Sequence, residues 1–314
     1  MPNRDSILIT GGAGFIGSNL TRAAIERFEE VYVLDNLTYA GNIRNLHSVE
    51  DKITFIEGDI REHEIVSEIY EQVEVVVNLA AESHVDRSIK SGIPFLQSNV
   101  EGAYVLMELL QEHDVDRFIQ MSTDEVYGSI EEGEFSEGDP LDPSSPYSAS
   151  KASADLFVNA CWETYDLPIT IVRPTNIYGP RQHPEKLIPK FTLRALSGDR
   201  LPLYGDGSNV RQWLYVKDFC NALLQIVDHD TDGIYNVAGP ERRSNIEVTK
   251  AILERVGASE SLIEFVADRA GHDKRYAIDD SKLQEEIGFD PQYGFAAGLD
   301  ETIEWYRKHR DSYQ

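Results

Sequence analysis

The fold is decided by the stretch Ser6-Ile7-Leu8-Ile9-Thr10-Gly11-Gly12-Ala13-Gly14-Phe15-Ile16-Gly17. Its first five residues are typical of a buried strand, and the glycines at 12, 14 and 17 have the spacing of a dinucleotide-binding turn. Because these positions lack side chains, the chain can turn tightly, approach a pyrophosphate and pack the next helix against the strand. The helix N-terminus then faces the phosphates. We expect cofactor contacts here from Gly11, Gly14, Phe15, Ile16 and Gly17.

A second apolar run, Glu30 to Asp35, ends in an acid 18 residues after Gly17. A carboxylate at this place accepts hydrogen bonds from a ribose but repels a 2′-phosphate, and Asn36 rather than Arg follows it. The sequence therefore predicts NAD rather than NADP as the cofactor. Asp59, after the third predicted strand, is placed to reach the adenine, although Gly58-Asp59 could equally be a simple turn.

Short apolar runs alternate with amphipathic segments through the first half of the chain. The runs predict strands at Ser6–Thr10, Glu30–Asp35, Ile53–Glu57, Val73–Asn78, Phe118–Ser122 and Pro168–Arg173. Helical periodicity separates them at Ile16–Phe28, Glu62–Gln72, Gly102–Glu112 and Pro146–Tyr165. This alternation predicts an α/β fold built on a Rossmann-type, doubly wound parallel sheet.

Pro and Gly become more frequent after Pro174, and the alternation loosens. Helical patterns return at Val216–Val227, Ile246–Val256 and Leu299–Arg310. We expect an NAD-binding domain from residues 1–175 together with about 215–240. A smaller mixed α/β lobe, which binds the substrate, is expected from residues 176–214 and 241–314.

The composition excludes several classes of protein. The 55 acidic and 29 basic residues give a net charge of −26, which repels nucleic acid and anionic lipid. No apolar run is long enough to span a membrane, and no hydrophobic targeting segment precedes the first strand, so we expect a cytoplasmic protein. Cys161 and Cys220 are too few for a disulfide framework or a thiolate zinc site. The acidity favours adaptation to a salt-rich cytoplasm over an ordinary acidic enzyme.

Two groups of residues carry the predicted chemistry. Thr123, Asp124 and Glu125 follow the strand predicted at 118–122, and two adjacent carboxylates can be driven to different protonation states. Tyr147 and Lys151 lie four residues apart, on one face of a predicted helix. The ammonium favours the phenolate and so assists proton removal from a sugar hydroxyl during alcohol oxidation by NAD. The alternative, in which the two acids only face solvent at a strand end, gives no reason for the other three residues.

With these residues in place, the chain resembles the extended short-chain dehydrogenases/reductases, also called the NAD-dependent epimerase/dehydratase family. Within this superfamily it is similar to the dTDP-glucose 4,6-dehydratases, and the similar segments span nearly the whole chain. They are Asp35–Asn42, Ala80–Ser88, Thr123–Glu125, Tyr147–Ala152, Pro184–Pro189 and Gly271–Tyr276. The Asp124-Glu125 pair is the most specific of these segments, because related epimerases usually carry small or polar residues there.

The resemblance implies a three-step dehydration. Tyr147, assisted by Lys151 and Thr123, takes the proton of the sugar 4-hydroxyl as C4 is oxidised by NAD. Glu125 then removes the C5 proton while a protonated Asp124 donates to the departing C6 hydroxyl. Return of the hydride to C6 gives a 4-keto-6-deoxy sugar, an intermediate in the biosynthesis of deoxysugars such as rhamnose.

The resemblance also implies the remaining contacts. Further cofactor contacts are expected at Thr38, Ile60, Ala80 and Ala81. Substrate contacts are expected at Ser83, His84, Asn176, Lys186, Leu187, Lys190, Arg211 and His272, with Arg211 pairing bidentately with the diphosphate. No metal is expected, and a Glu82, His84 and Asp86 metal cluster is rejected for this reason. The helices at about 95–113 and 146–165 resemble those that form a homodimer in this superfamily.

Three alternatives remain open from the sequence. A UDP-glucose 4,6-dehydratase could use the same Thr-Asp-Glu sequence. A UDP-sugar 4-epimerase would keep the NAD site, Tyr147 and Lys151 but would need no carboxylate pair. A catalytically silent NAD-binding scaffold has no physical need for Thr123, Asp124, Glu125, Tyr147 and Lys151 together.

Overall fold

The computed structural model describes residues 4–268 and 271–313 of the 314-residue chain. Its strands are β1 Ser6–Thr10, β2 Glu30–Asp35, β3 Thr54–Glu57, β4 Val75–Asn78, β5 Arg117–Met121, β6 Ile169–Pro174, β7 Asn176–Tyr178, β8 Leu201–Tyr204, β9 Val210–Tyr215, β10 Gly233–Val237, β11 Glu241–Ser244 and β12 Ile263–Val266.

Seven of these strands form one sheet in the order β3-β2-β1-β4-β5-β6-β10, and every neighbouring pair is parallel. The direction of winding reverses between β1 and β4, as in a doubly wound Rossmann-type sheet. Alternate side chains of β1 enter different cores, since Ile7 and Ile9 pack on one face and Leu8 on the other. The predicted fold class is therefore confirmed.

The α-helices cover both faces of the sheet and build much of the second lobe. They are α1 Phe15–Ala24, α2 His63–Tyr70, α3 Val85–Lys90, α4 Ile93–Phe95, α5 Gly102–Glu112, α6 Pro146–Tyr165, α7 Leu187–Ser197, α8 Val216–His229, α9 Asn245–Val256, α10 Ser281–Ile287 and α11 Phe295–Lys308. A π-helical stretch, Leu96–Glu101, joins α4 to α5. No helix within residues 4–268 and 271–313 is long and apolar enough to cross a bilayer.

Two smaller sheets lie outside the seven-stranded sheet. One has the strand order β11-β9-β7, and the other pairs β12 with β8 in parallel. Between these sheets, α7, α9 and α11 pack on one another through residues that belong to the same hydrophobic core as one face of the large sheet. Strand β10 lies between β9 and β11 in the chain, yet it pairs with β6 and completes the large sheet.

Helix α6 has the bounds predicted from the sequence, because Ser145 and Ser148 form a reciprocal capping box and Pro146 occupies the first turn. Helix α1 ends at Ala24, before the predicted Phe28, and α11 begins at Phe295, before the predicted Leu299. Strand β5 ends at Met121 rather than Ser122. Helix α7 was not predicted: Pro189 resembles a helix breaker in sequence but stands in the first turn, where its missing N–H costs no hydrogen bond.

Candidate active site

The carboxyl ends of β1 and β4, where the winding reverses, are followed by the glycine-rich turn and by Ala80-Ala81. A Cβ on Gly17 would lie 2.3 Å from the carbonyl oxygen of Gly11, so only glycine lets α1 pack this closely on the turn. A Cβ on Gly14 would meet only the Gly11 oxygen, at 3.1 Å, and Gly14 lines the two cavities that meet at this turn. A ligand can therefore approach the backbone at the start of α1.

One of these cavities, here called the adenosine cavity, extends from the turn towards β2 and β3. Its lining includes nine of the residues predicted to bind the cofactor: Gly11, Gly14, Asp35, Asn36, Thr38, Asp59, Ile60, Ala80 and Ala81. Backbone N–H groups, two carboxylates and small side chains together suit a ribose and an adenine. The residues present thus fit the dinucleotide that the glycine pattern predicts.

The two carboxylates of the adenosine cavity differ in their partners. Asp35 is buried and accepts hydrogen bonds from the backbone N–H groups of Ala13, at 2.9 Å, and Leu37, at 2.8 Å. Burial raises the pKa of Asp35, and these N–H groups oppose the rise. Asp59 instead pairs with Arg61 through two hydrogen bonds of 2.9 and 2.8 Å, which lower its pKa. Arg61 thus binds both carboxylate oxygens of Asp59.

The second cavity, here called the reaction cavity, lies over the carboxyl end of β5 and has a volume of about 240 Å³. With Gly14, which it shares with the adenosine cavity, it brings together all five predicted catalytic residues, three further residues of the turn and three of the predicted substrate contacts. These are Thr123, Asp124, Glu125, Tyr147, Lys151, Phe15, Ile16, Gly17, Ser83, Asn176 and Lys186.

Thr123 shapes the acidic part of the reaction cavity. It lies two residues after β5, and its hydroxyl accepts a hydrogen bond from the N–H of Glu125 at 3.3 Å, capping a short 3₁₀ turn, Asp124–Tyr127. The turn places Asp124 inside the protein and Glu125 half-buried at the cavity wall. The sequence predicted an acid pair at a strand end, and the structure shows that a capped turn presents it.

Asp124 and Glu125 have unequal surroundings. Asp124 is 2% exposed, and among the described residues no group hydrogen-bonds its Oδ2 atom. Burial, and then the charge of Glu125, raise the pKa of Asp124 to about 8. Asp124 is therefore protonated at neutral pH and has a proton to donate. The two adjacent acids can thus divide into a proton donor and a more accessible carboxylate.

Helix α6 presents Tyr147 and Lys151 to the same cavity. The Lys151 ammonium donates a hydrogen bond to the carbonyl oxygen of Met121, the last residue of β5. Burial lowers the pKa of Lys151 to about 8, and burial followed by the charge of Glu125 raises the pKa of Tyr147. A hydrogen bond to Thr123 opposes the rise at Tyr147. The Tyr147 side chain is therefore a neutral phenol at neutral pH. It needs a positive charge nearby to lower its pKa before it can act as a base.

A third cavity, of about 750 Å³, lies between α3 and the second lobe and is here called the outer cavity. In a chain with a net charge of −26, its lining carries five cations against three acids, Asp86, Glu125 and Glu185. The cations are Arg87, Lys90, Lys186, Lys190 and Arg211, beside His84 and His272. Glu125 lines both this cavity and the reaction cavity, so the two adjoin at that residue. The site therefore suits a ligand with an anionic group next to a reacting part.

Several predicted substrate contacts are held in place by other residues. Arg211 is 5% exposed, donates a hydrogen bond of 2.9 Å to the carbonyl oxygen of Asp273, and lies 4.1 Å above the ring of Tyr276. His272 pairs with Asp268 at 2.6 Å. Lys186 donates to the carbonyl oxygen of Ser83 at 2.8 Å, which links the second lobe to the loop after β4.

The sequence analysis missed some residues of the outer cavity. Tyr204, Trp213, Asn245 and Tyr276 line it, and Glu185 lies in the walls of both the outer and the reaction cavities. Tyr276 ends Gly271–Tyr276, one of the segments similar to the family, so an aromatic ring close to the predicted contact His272 was the available signal. The described residues contain no group of three or more His, Cys, Asp or Glu side chains arranged to hold a metal.

A family model described as GDP-mannose 4,6 dehydratase matches residues 8–302. The chain belongs to this family. The low-salt glycan biosynthesis protein Agl12 of Haloferax volcanii is a relative with 52% identity over 304 residues, covering 96% of this chain and 98% of the relative. The dTDP-glucose 4,6-dehydratase of Streptomyces niveus is 44% identical, covering 97% of this chain and 93% of that enzyme.

Solved structures of the family agree with the fold. The dTDP-glucose 4,6-dehydratase of Streptomyces venezuelae, crystallised with NAD bound, matches with a TM-score of 0.96 and 44% identity, covering 98% of this chain and 99% of that one. The family resemblance inferred from the sequence is thereby confirmed.

Proposed function

We propose that the protein is an NAD-dependent hydro-lyase that converts dTDP-glucose to dTDP-4-keto-6-deoxyglucose and water. The observation that carries this proposal is the unequal acid pair: Asp124 is buried and protonated, whereas Glu125 is half-buried, and both line a cavity with Tyr147 and Lys151. A plain oxidation or epimerisation at C4 needs no such pair, but elimination of water needs an acid and a base together. The relatives that carry the name dTDP-glucose 4,6-dehydratase support the same reaction.

NAD, when bound, accepts a hydride from C4 of the sugar and later returns it to C6. The chain itself supplies the proton transfers. Tyr147 takes the proton of the 4-hydroxyl, helped by the Lys151 ammonium and by Thr123. The resulting 4-ketone acidifies C5, from which Glu125 takes a proton. Asp124 gives its proton to the C6 hydroxyl, which leaves as water, and Glu125 returns a proton to C5 when C6 is reduced.

The outer cavity supports a nucleoside diphosphate as the other end of the substrate. Arg211 presents a guanidinium fixed above Tyr276, a geometry suited to bidentate contact with phosphate. Lys190, Leu187 and His272 lie in the same cavity, and Asn176 lies in the walls of both this cavity and the reaction cavity. We therefore assign the second lobe, from 176–214 and 241–314, to the nucleotide sugar. The rest of the chain, 1–175 with about 215–240, is assigned to NAD.

The deciding experiment is side-by-side incubation with dTDP-glucose and UDP-glucose, followed by mass spectrometry of the products. Loss of one water from dTDP-glucose is expected. Equal or better turnover of UDP-glucose would reassign the nucleotide. An unchanged product mass with inversion at C4 would identify a 4-epimerase, and no reaction with either sugar would favour the non-catalytic scaffold.

The acid-rich composition suggests where the enzyme works. We propose a cytoplasmic protein adapted to high salt, because a net charge of −26 is self-repelling unless ions screen it. The relative named as a low-salt glycan biosynthesis protein supports a role for the product in glycan assembly. Unfolding measured against KCl concentration should show stability rising with salt. Equal stability in low and high KCl would contradict this proposal.

We also propose that the protein is a homodimer. Large apolar side chains are exposed along the face formed by α4, the π-helical stretch, α5 and α6: Ile93, Leu96, Tyr104, Leu156 and Tyr165. Leu156→Asp should convert a dimer to a monomer in light scattering. Phe265→Asp is the matched control, because Phe265 is 60% exposed on β12, away from this face. A monomeric parent protein would refute the proposal.

A further inference from the structure

Three side chains on one face of α6 follow each other at four-residue spacing: Tyr147, Lys151 and Asp155. The first two belong to the proposed reaction, whereas Asp155 lies one turn deeper and does not line the reaction cavity. Its side chain is completely buried. A fully buried carboxylate directly behind a catalytic ammonium needs a physical reason, because burial of a charge is costly unless the charge is paired.

The partners of Asp155 connect two strand ends to the helix. Its Oδ2 atom accepts a hydrogen bond from the Ser122 hydroxyl at 2.8 Å and one from the Arg173 Nε at 2.9 Å. Ser122 directly follows β5, and Arg173 lies on β6. Within residues 4–268 and 271–313, no group hydrogen-bonds the Oδ1 atom of Asp155. One carboxylate therefore fixes α6 against two neighbouring strands.

Lys151 makes a second connection between the same elements, because its ammonium donates to the carbonyl oxygen of Met121. Met121 and Ser122 are adjacent, so two consecutive residues of the strand end bind two consecutive turns of α6. Thr123, Asp124 and Glu125 follow at once. The two connections set how far the acid pair lies from Tyr147.

The charges along this line alternate. Lys151 and Arg173 are both buried cations, and the Asp155 carboxylate pairs with Arg173 and interacts electrostatically with Lys151. Asp155 opposes the effect of burial on Lys151, which lowers the pKa of that ammonium to about 8. Without this anion, burial would lower the pKa of Lys151 further, and the ammonium would lose its proton more readily. The titratable or charged groups packed around Lys151 and Tyr147 on α6, after β5 and on β6 are Asp155, Asp124, Glu125 and Arg173.

We propose that Asp155 is a positioning residue for the reaction, which keeps Lys151 charged and holds the Thr123–Glu125 turn in register with Tyr147. It touches neither substrate nor cofactor and acts through Lys151 and Ser122. Its catalytic consequence rests on the proposed function, whereas its effect on Lys151 does not. The two parts are therefore tested separately.

The first test replaces the charge and keeps the shape, with Asp155→Asn. Lysine labelled at Cε is followed by NMR in the protein without substrate, and Lys151→Met identifies the signal. We expect the titration of Lys151 to move to lower pH by about one unit or more, since loss of a neighbouring opposite charge shifts a pKa by about 1–3 units. The alkaline limb of kcat should move by the same amount, with KM nearly unchanged. An unmoved Lys151 titration in the folded variant would overturn the proposal, whatever the substrate proves to be.

The second test removes the hydrogen bond between Asp155 and the strand end, with Ser122→Ala; Ser122 is 1% exposed and also lies in the wall of the reaction cavity. The Asp155–Arg173 pair stays intact, so this variant decides the question should Asp155→Asn not fold. We expect kcat to fall about fivefold, from the loss of one buried hydrogen bond, with little change in KM. Thr302→Val is the matched control: it removes a buried hydroxyl that donates to the Gly298 carbonyl oxygen at 2.6 Å, far from the cavities. If Ser122→Ala affects only thermal stability, as the control should, the positioning role is refuted.

Discussion

The reaction cavity and the outer cavity meet at Glu125, yet they differ in how their charged groups are exposed to solvent. In the reaction cavity the ionisable groups are buried, and burial displaces the pKa values of Asp124, Lys151 and Tyr147. In the outer cavity the cations lie on long side chains around a volume about three times larger, about 750 Å³ against about 240 Å³. The difference indicates that desolvation tunes the chemistry in the first, while charge selects the ligand in the second.

Tyr147→Phe should cause the largest loss of activity among the substitutions in the reaction cavity. The phenol is the proposed base for the first step, and a positioned base contributes about 10²–10⁴-fold, so kcat should fall by about a thousandfold. Steady-state rates with dTDP-glucose measure this. Tyr32→Phe is the control, because Tyr32 lies on β2 and lines none of the three cavities. An unchanged rate in Tyr147→Phe would remove Tyr147 from the mechanism.

Glu125→Gln should separate the two halves of the chemistry. Oxidation at C4 stays possible while removal of the C5 proton does not, so kcat should fall about a hundredfold and the absorbance of the reduced nicotinamide should persist. Rapid-scan absorbance after mixing with substrate checks this. The exposed Glu131→Gln should behave as the parent protein does. Normal turnover in Glu125→Gln would contradict the assignment of the base.

Arg211→Lys tests the outer cavity and should affect mainly binding. Lysine keeps the positive charge but cannot make a bidentate contact, and one lost charge-assisted hydrogen bond is worth about 1.5–3 kcal/mol. KM should therefore rise at least about tenfold, with a smaller change in kcat. Arg242→Lys, whose guanidinium pairs with Glu134 away from the cavity, is the control. A loss confined to kcat would place Arg211 in the chemistry instead.

Asp124→Asn should show the stability cost of keeping a buried acid. The folded-state pKa of Asp124, about 8, lies above the unfolded value of 3.8, so the folded state holds the extra proton between these pH values. Ionisation of the unfolded chain then makes the parent protein less stable as pH rises from about 4 towards 8. The variant should gain stability relative to the parent, by about 3–4 kcal/mol more at pH 7 than at pH 4. Urea unfolding at both pH values tests this, and an equal difference at both would refute it.

Much of this site could be predicted from the sequence, because the strongest signals for it are patterns within short segments of the chain. The spacing of Gly12, Gly14 and Gly17 predicts a tight dinucleotide-binding turn without knowledge of the rest of the fold. The spacing of Tyr147 and Lys151 places them on one face of a helix. The bounds predicted for α6 from helical periodicity, Pro146–Tyr165, match the structure. The predicted roles of the individual site residues stay predictions, although all of them line the three cavities.

Features that depend on strand order could not be predicted. Asp155 pairs with Arg173 only because β5 and β6 are neighbouring strands that α6 packs against. No local sequence pattern predicts this ion pair. Tyr276 lies under Arg211 because the chain returns from more than sixty residues away. The strands of the two small sheets are three to six residues long and have few alternating apolar positions, so their sequence signal was weak.

The return of the chain to β10 has a practical consequence for dissecting the protein. The edge strand beside β6 is β10, Gly233–Val237. In the chain it follows β7 and β9, two strands of the β11-β9-β7 sheet. A fragment truncated before residue 176 would leave β6 with a bare edge and an incomplete core, and bare edges invite aggregation. No single cleavage yields a complete dinucleotide-binding half, so the parts can be exchanged between relatives only as a double-crossover graft.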